Sequence, residues 1–348
     1  MKIHHNHLGY QSPATKRALV RCKRGDAGLL SGLGLSVIDA ELRQIVLQAP
    51  LKALGGVAQW RDWQFWEADF SALQKTGRYA LLLDGISPPL MSTSFAIAPT
   101  IYDGQLLSDL VHYLKSQRCG GIFDRADHAR PKLGSTQRVD VHGGWYDASG
   151  DASKYLSHLS YANFMNPQQT PQVVWNLLDG RQRMPSQSVW LDDKIIDEAL
   201  HGADFLVRML DAEGYFYTTV FDRWSKDVEQ RDICSYATQQ GHKSDCYRAG
   251  YRQGAGSAIA ALARASQAGR DGQYRRADYL AAAERAFAHL EQHTLCYLDD
   301  GAENIIDDYC ALLAAAELFA ATGKTVYAAA GDKRARRLIQ ALGDIDAL

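Results

Sequence analysis

A change of hydrophobic period at Pro99 constrains this chain more than any other feature. Before it, short apolar runs over residues 17–22, 35–39, 44–47, 64–70, 78–83 and 93–97 are separated by Gly, Pro, Asp or Ser. Many of these runs alternate, as half-buried strands do. They predict a small β-sandwich over residues 1–98, with Trp60, Trp63, Phe65 and Trp66 as its packing aromatics. After Pro99 the spacing becomes helical. Leu106, Leu107, Leu110, Val111 and Leu114 share one face, in a helix expected to stop near Cys119-Gly120-Gly121. Further stripes predict helices over 195–207, 254–268, 279–290, 305–319 and 328–342, and a helix is also expected over 152–163. The fold class is therefore β followed by α, with residues 99–348 forming antiparallel helical hairpins. The 348-residue length suits two domains.

Bulk properties narrow the partners. A formal net charge of -2 offers no electrostatic attraction to nucleic acid or to an anionic membrane. The run Lys333 to Arg337 reads as the solvated face of a last helix. No stretch approaches the roughly 20 apolar residues that span a bilayer, and residues 1–7 lack the apolar centre of a secretion signal. The six cysteines are scattered without a C-x-x-C spacing, so reduced thiols and a cytoplasmic location are expected. His4, His5 and His7 read as surface histidines. The spacing shows no metal-ligand array and implies no cofactor.

Chemistry is expected in the two long aperiodic segments, 120–150 and 211–251. In the first, His142-Gly143-Gly144-Trp145-Tyr146-Asp147-Ala148-Ser149-Gly150-Asp151 places two carboxylates four residues apart behind two aromatic rings. Aromatic faces stack on sugars, and carboxylates activate water against glycosidic bonds. The residues alone also allow local roles. Asp147 could fix an Asx-turn, and Asp151 could cap the helix expected after it.

The segment from Gly143 to Tyr155 resembles the signature of family 9 glycoside hydrolases, G-G-W-Y-D-A-G-D followed by a lysine and an aromatic residue. Asn6-His7-Leu8-Gly9-Tyr10 and Trp66-Glu67-Ala68-Asp69-Phe70-Ser71, followed by Gly77-Arg78-Tyr79, are similar to the immunoglobulin-like domain that precedes many of these catalytic domains. Tyr113 to Gly120 resembles the first catalytic-domain helix and its exit. The resemblance implies an immunoglobulin-like sandwich followed by part of an (α/α)6 barrel. Three residues separate the aspartates here, where the common motif has two. That spacing is more similar to the exo-β-D-glucosaminidase branch, which removes glucosamine from chitosan oligosaccharides, than to the cellulases. A β-1,4-endoglucanase and a non-catalytic carbohydrate-binding fragment are the alternatives.

By this resemblance Asp151 is the general base for the attacking water and Asp147 helps to hold that water. Trp145, Tyr146 and Lys154 are assigned to substrate contact, with an oligosaccharide as the partner. The family inverts configuration, which needs its acid about 6.5–9.5 Å from its base. Both aspartates therefore serve the water side. No glutamate matches the family's acid motif; Glu303 and Glu317 sit on helical patterns and read as structural. The chain is expected to be a family member cut short at its C-terminus and a feeble hydrolase.

Overall fold

The computed structural model of the chain describes residues 1–57, 59–102, 104–147, 150–157, 169–184, 188–237 and 240–346. It divides into two compact units, Met1–Asp103 and Gly104–Leu348.

The first unit holds ten strands, and the six runs expected from the sequence are β3, β4, β5, β7, β8 and β10 among them: β1 (Lys2–His4), β2 (Tyr10–Gln11), β3 (Arg17–Lys23), β4 (Gly34–Asp39), β5 (Ile45–Pro50), β6 (Lys52–Gly55), β7 (Trp63–Asp69), β8 (Gly77–Leu83), β9 (Leu90–Met91) and β10 (Phe95–Ala98). One sheet has the order β1-β3-β7-β6. The other runs β2-β10-β8-β4-β5, with β9 beside β8. Ala18, Val20 and Cys22 of β3 meet Leu35, Val37, Leu81, Leu83, Phe95 and Ile97 of the second sheet in one buried core. Each large aliphatic or aromatic side chain fully buried there contributes about 1.5–3 kcal/mol.

The tryptophan-rich strand departs from expectation. Trp66 lies opposite buried Val20 and packs on the core, whereas Phe65 lies opposite Arg21 on the other face. Arg21 stacks over Trp63 at 4.1 Å, and Trp60 is 57% exposed. Of the four aromatics, only Trp66 packs on the core. The edge strand β6 was not predicted, because its residues are mostly exposed and no apolar alternation marks it.

Eight α-helices lie among the described residues of the second unit: α1 (Gly104–Ser116), α2 (Gly121–Asp127), α3 (Gln169–Arg183), α4 (Val189–Arg208), α5 (Ala255–Ala265), α6 (Arg276–His293), α7 (Ile305–Thr322) and α8 (Thr325–Asp346). Consecutive helices pair as hairpins, α3 with α4, α5 with α6 and α7 with α8. Helix α5 is built mainly from Ala, Gly and Ser, with Ile259, Leu262 and Arg264 as its larger side chains, and is buried along nearly its whole length. It packs against α3, α4, α6 and α7. Small side chains allow that many helix axes to approach one element. Among the described residues no helix is long and apolar enough to cross a membrane. All six cysteines are free thiols.

Two readings of this unit are corrected. The helix expected over 152–163 does not form over its described part. Residues 152–156 are buried without a break, and Lys154–Tyr155 forms a strand, β11, that pairs with Val220 and Thr219. Residues 158–163 lie outside the described residues. The run 333–337 is not simply a solvated face either. Arg334 is buried against Glu303 and Asp308, at 2.7 and 3.0 Å.

Candidate active site

The aspartate motif forms a loop that leaves α2, passes under α4 and ends in β11. Gly143 and Gly144 have φ of 81° and 74°, the left-handed region that disfavours side chains. A Cβ at Gly144 would stand 2.8 Å from the Phe205 ring, and one at Gly143 would stand 2.8 Å from the Arg208 guanidinium. The paired glycines therefore let the backbone lie directly on α4. The helix then holds it. Arg208 Nε donates to the His142 carbonyl at 2.9 Å, and His201 Nε2 lies 3.1 Å from the Gly144 carbonyl. The Gly144 carbonyl also accepts from the Cys119 amide, and the Tyr146 amide donates to Gln117, both at 2.9 Å.

A buried charge cluster fixes the loop from beneath. Asp127, at the end of α2, receives Lys154 Nζ at 2.7 Å and Arg231 Nε at 2.6 Å, and none of the three side chains reaches solvent. Lys154 Nζ also donates to the carbonyls of Val141 and Gly143 at 2.6 and 2.8 Å, and Arg231 Nη1 donates to that of Ala152 at 2.7 Å. The cluster thus ties both limbs of the motif loop to one carboxylate. Burial alone would push the Asp127 carboxyl up, but the charges of Lys154 and Arg231 outweigh it and hold it below the usual carboxylate range. Lys154, assigned to substrate contact from the sequence, is corrected here. It is wholly enclosed, and its ammonium is committed to Asp127 and two carbonyls.

Trp145 is largely buried, with its indole Nε1 donating to Glu198 at 2.7 Å, while Glu198 also receives Arg118 at 2.7 Å. The ring is therefore anchored from behind. Trp145, Tyr146 and Asp147 line one cavity of about 320 Å³, together with Tyr113, Gln172 and Asn176. The Tyr146 hydroxyl accepts from the Gly120 amide at 3.0 Å, and burial pushes its pKa up to about 12. It stays protonated at any ordinary pH.

Asp151 is not among the residues lining that cavity. Its Oδ1 accepts from the Ser153 amide at 2.8 Å, an Asx-turn that leads into a strand instead of capping a helix. Its Oδ2 accepts from the Tyr155 hydroxyl at 3.1 Å. Burial raises the Tyr155 hydroxyl, as does the nearby Asp151 charge, so it remains a donor. Tyr155 was legible only as the aromatic residue of the motif; its role in orienting Asp151 depends on the strand that replaced the expected helix. Ala148 and Ser149 lie outside the described residues.

The two glutamates weighed as acids are engaged elsewhere; Glu317 lies in α7 as its pattern predicted, whereas Glu303 precedes the helix and its N-cap, Asn304. Glu303 binds Arg334 and Arg337 at 2.7 and 2.9 Å, and Glu317 binds Arg264 at 2.6 Å. The Trp175 indole also donates to Glu317 at 2.8 Å. Sequence spacing concealed one further group. His128, Asp140 and His142 converge beside the loop although no metal-ligand array was expected. A gap of a dozen residues hid it.

Comparison with known proteins bears on the fold and the family. Residues 1–87 match the cellulase N-terminal ig-like domain, and residues 104–341 match glycosyl hydrolase family 9. A cellodextrinase from Butyrivibrio fibrisolvens is 25% identical over 179 residues, covering 46% of this chain and 30% of that protein. The crystal structure of a metagenome-derived glycoside hydrolase family 9 endoglucanase is similar with a TM-score of 0.64 at 24% identity, over 97% of this chain and 64% of that one. The chain thus spans less than two thirds of the length of either relative. The β-then-α order agrees with an immunoglobulin-like domain followed by a domain of the (α/α)6-barrel class. With the family domain matched over 104–341, the chain belongs to glycosyl hydrolase family 9.

Proposed function

We propose that this chain supplies the water side of an inverting glycosidase that acts on β-1,4-linked oligosaccharides. The observation that carries the reading is the cavity walled by Trp145 and Tyr146 with Asp147 at its edge. An aromatic wall suits a sugar face, and a carboxylate beside it suits a water poised under the anomeric carbon. In this reading Asp151 takes the proton from that water, Tyr155 orients Asp151, and Asp147 holds the water. Glu303 and Glu317 are spent in ion pairs, so neither is cast as the acid. General-acid assistance is worth about 10²–10⁴-fold, so these residues acting without an acid would turn over slowly by that factor.

The substrate we favour is a glucosamine oligosaccharide, because the three-residue separation of Asp147 and Asp151 resembles the exo-β-D-glucosaminidase branch of the family more than the cellulases. A β-1,4-glucan is the second reading, favoured by the endoglucanase and the cellodextrinase among the relatives. Chitosan and cellulose oligomers incubated side by side, with products followed by proton NMR, separate the two. The reading expects slow release of the inverted anomer from one series, reduced to background in Asp151→Asn. A retained configuration, or cleavage undiminished in that variant, refutes it. Calorimetric binding of oligomers with no cleavage, unchanged in Asp151→Asn, would instead make the chain a carbohydrate-binding protein.

A further inference from the structure

We propose that His128, Asp140 and His142 form a site for a divalent transition-metal ion, zinc in the first instance, at the root of the motif loop. One ligand atom from each residue lies within 4.8 Å of the other two. His142 Nδ1 stands 2.6 Å from Asp140 Oδ1, and His128 Nδ1 stands 3.5 Å from Asp140 Oδ2. The two imidazoles are stacked, with centroids 3.9 Å apart and planes 21° from parallel. Ligands at about 2.0–2.2 Å from a tetrahedral zinc lie roughly 3.3 Å from one another, so the spacing suits the ion once the stacked imidazoles turn out of parallel and aim both Nδ1 lone pairs at it.

The donor set selects the metal class. Two imidazole nitrogens and one carboxylate suit zinc, cobalt, nickel or ferrous iron, whereas calcium and magnesium take oxygen ligands. His128 and Asp140 are exposed and His142 is half-buried, which leaves an approach for the ion and room for water as a further ligand. Support for the ligands is already in place. The Asp140 carboxylate accepts from the His142 amide at 3.1 Å, and the His142 carbonyl accepts from Arg208 at 2.9 Å. Binding exchanges the hydrogen bond between Asp140 and His142 for two metal bonds.

The ion would join His128, which caps the end of α2, to the segment that enters Gly143-Gly144. Asp127, the residue before His128, already anchors the same loop from beneath through Lys154. The metal adds a second tie on the solvent side. An ion that binds only the folded chain raises its stability in proportion to the logarithm of its concentration.

The test titrates the metal-stripped full chain with zinc chloride by calorimetry, records melting with and without zinc, and follows cobalt by its visible absorption. The proposal expects one equivalent, a melting temperature that climbs with zinc, and cobalt bands typical of low coordination number. His128→Ala and Asp140→Asn should each weaken binding by more than the 10–100-fold that loss of an outer-shell partner costs. A variant with His4, His5 and His7 all changed to Ala should bind as the wild type does. His128 is exposed, so its variant should keep the metal-free melting curve; Asp140→Asn answers the question if it does not. No saturable binding up to tenth-millimolar zinc overturns the proposal. So does binding that survives both substitutions, or that disappears with the N-terminal histidines.

Discussion

Replacing Asp127 by Asn is the sharpest perturbation of the motif loop. Asp127 faces Lys154 and Arg231 at 2.7 and 2.6 Å in a place closed to solvent. At such distances each attraction is about 6 kcal/mol with an effective dielectric constant of 20. Desolvation of the ions consumes most of this, and removal of one partner of a buried pair costs about 3–5 kcal/mol. Asp127→Asn should fall at the upper end, because it leaves two buried cations facing a neutral amide. Lys154→Met should fall at the lower end, because Asp127 and Arg231 remain as a neutral pair. For a unit of this size each kcal/mol moves the midpoint by about 2–4 °C. Calorimetry of the helical unit's transition should then show a fall of about 10–20 °C in Asp127→Asn. The carboxyl is held below its ordinary pKa, so its contribution is present above about pH 4 and lost as pH falls through the folded value. The gap between wild type and Asp127→Asn should accordingly narrow in acid. A midpoint within about 3 °C of wild type near neutrality would refute the reasoning, as would a greater loss in Lys154→Met.

Three further substitutions examine the parts around this cluster. Gly144→Ala combines a left-handed φ of 74° with a Cβ 2.8 Å from the Phe205 ring; a loss of about 2 kcal/mol or more is expected by denaturant titration, and a neutral effect would show that the loop does not press on α4. Trp145→Phe removes the 2.7 Å bond to the Glu198 carboxylate, which predicts a loss of about 1.5–3 kcal/mol, and an unchanged melting curve would contradict it. Tyr155→Phe deletes the hydroxyl that holds Asp151 at 3.1 Å. It should lower kcat with little change in KM and cost stability about 1.5–3 kcal/mol; an undiminished kcat would remove Tyr155 from the site.

How far the chain could be read in advance varied by element. The strands of the sandwich core and the helices α1, α4, α5, α6, α7 and α8 announced themselves through local period. Helix α3 did not. It carries Pro171 and Gly180, residue types that weaken a helical pattern, yet Pro171 stands in the first turn where a missing amide costs nothing. Residues 152–156 misled in the opposite sense, because enclosure on all sides removes the polar face by which an amphipathic strand is recognised. The motif aspartates were found through their neighbours in the sequence, whereas Tyr155's hold on Asp151 and the gathering of His128, Asp140 and His142 were not.

The amino-acid sequence by itself determined the order of β then α, the position of the aspartate loop and the family it belongs to, since period and motif are properties of neighbouring residues. Only the tertiary structure decided what the charged residues of that loop do. Lys154 looked like a substrate contact and proved to be the enclosed partner of Asp127, with Arg231 completing the cluster from far along the chain. Whether a charge meets solvent, substrate or a counter-ion depends on distance and burial in three dimensions, and spacing along the chain encodes neither.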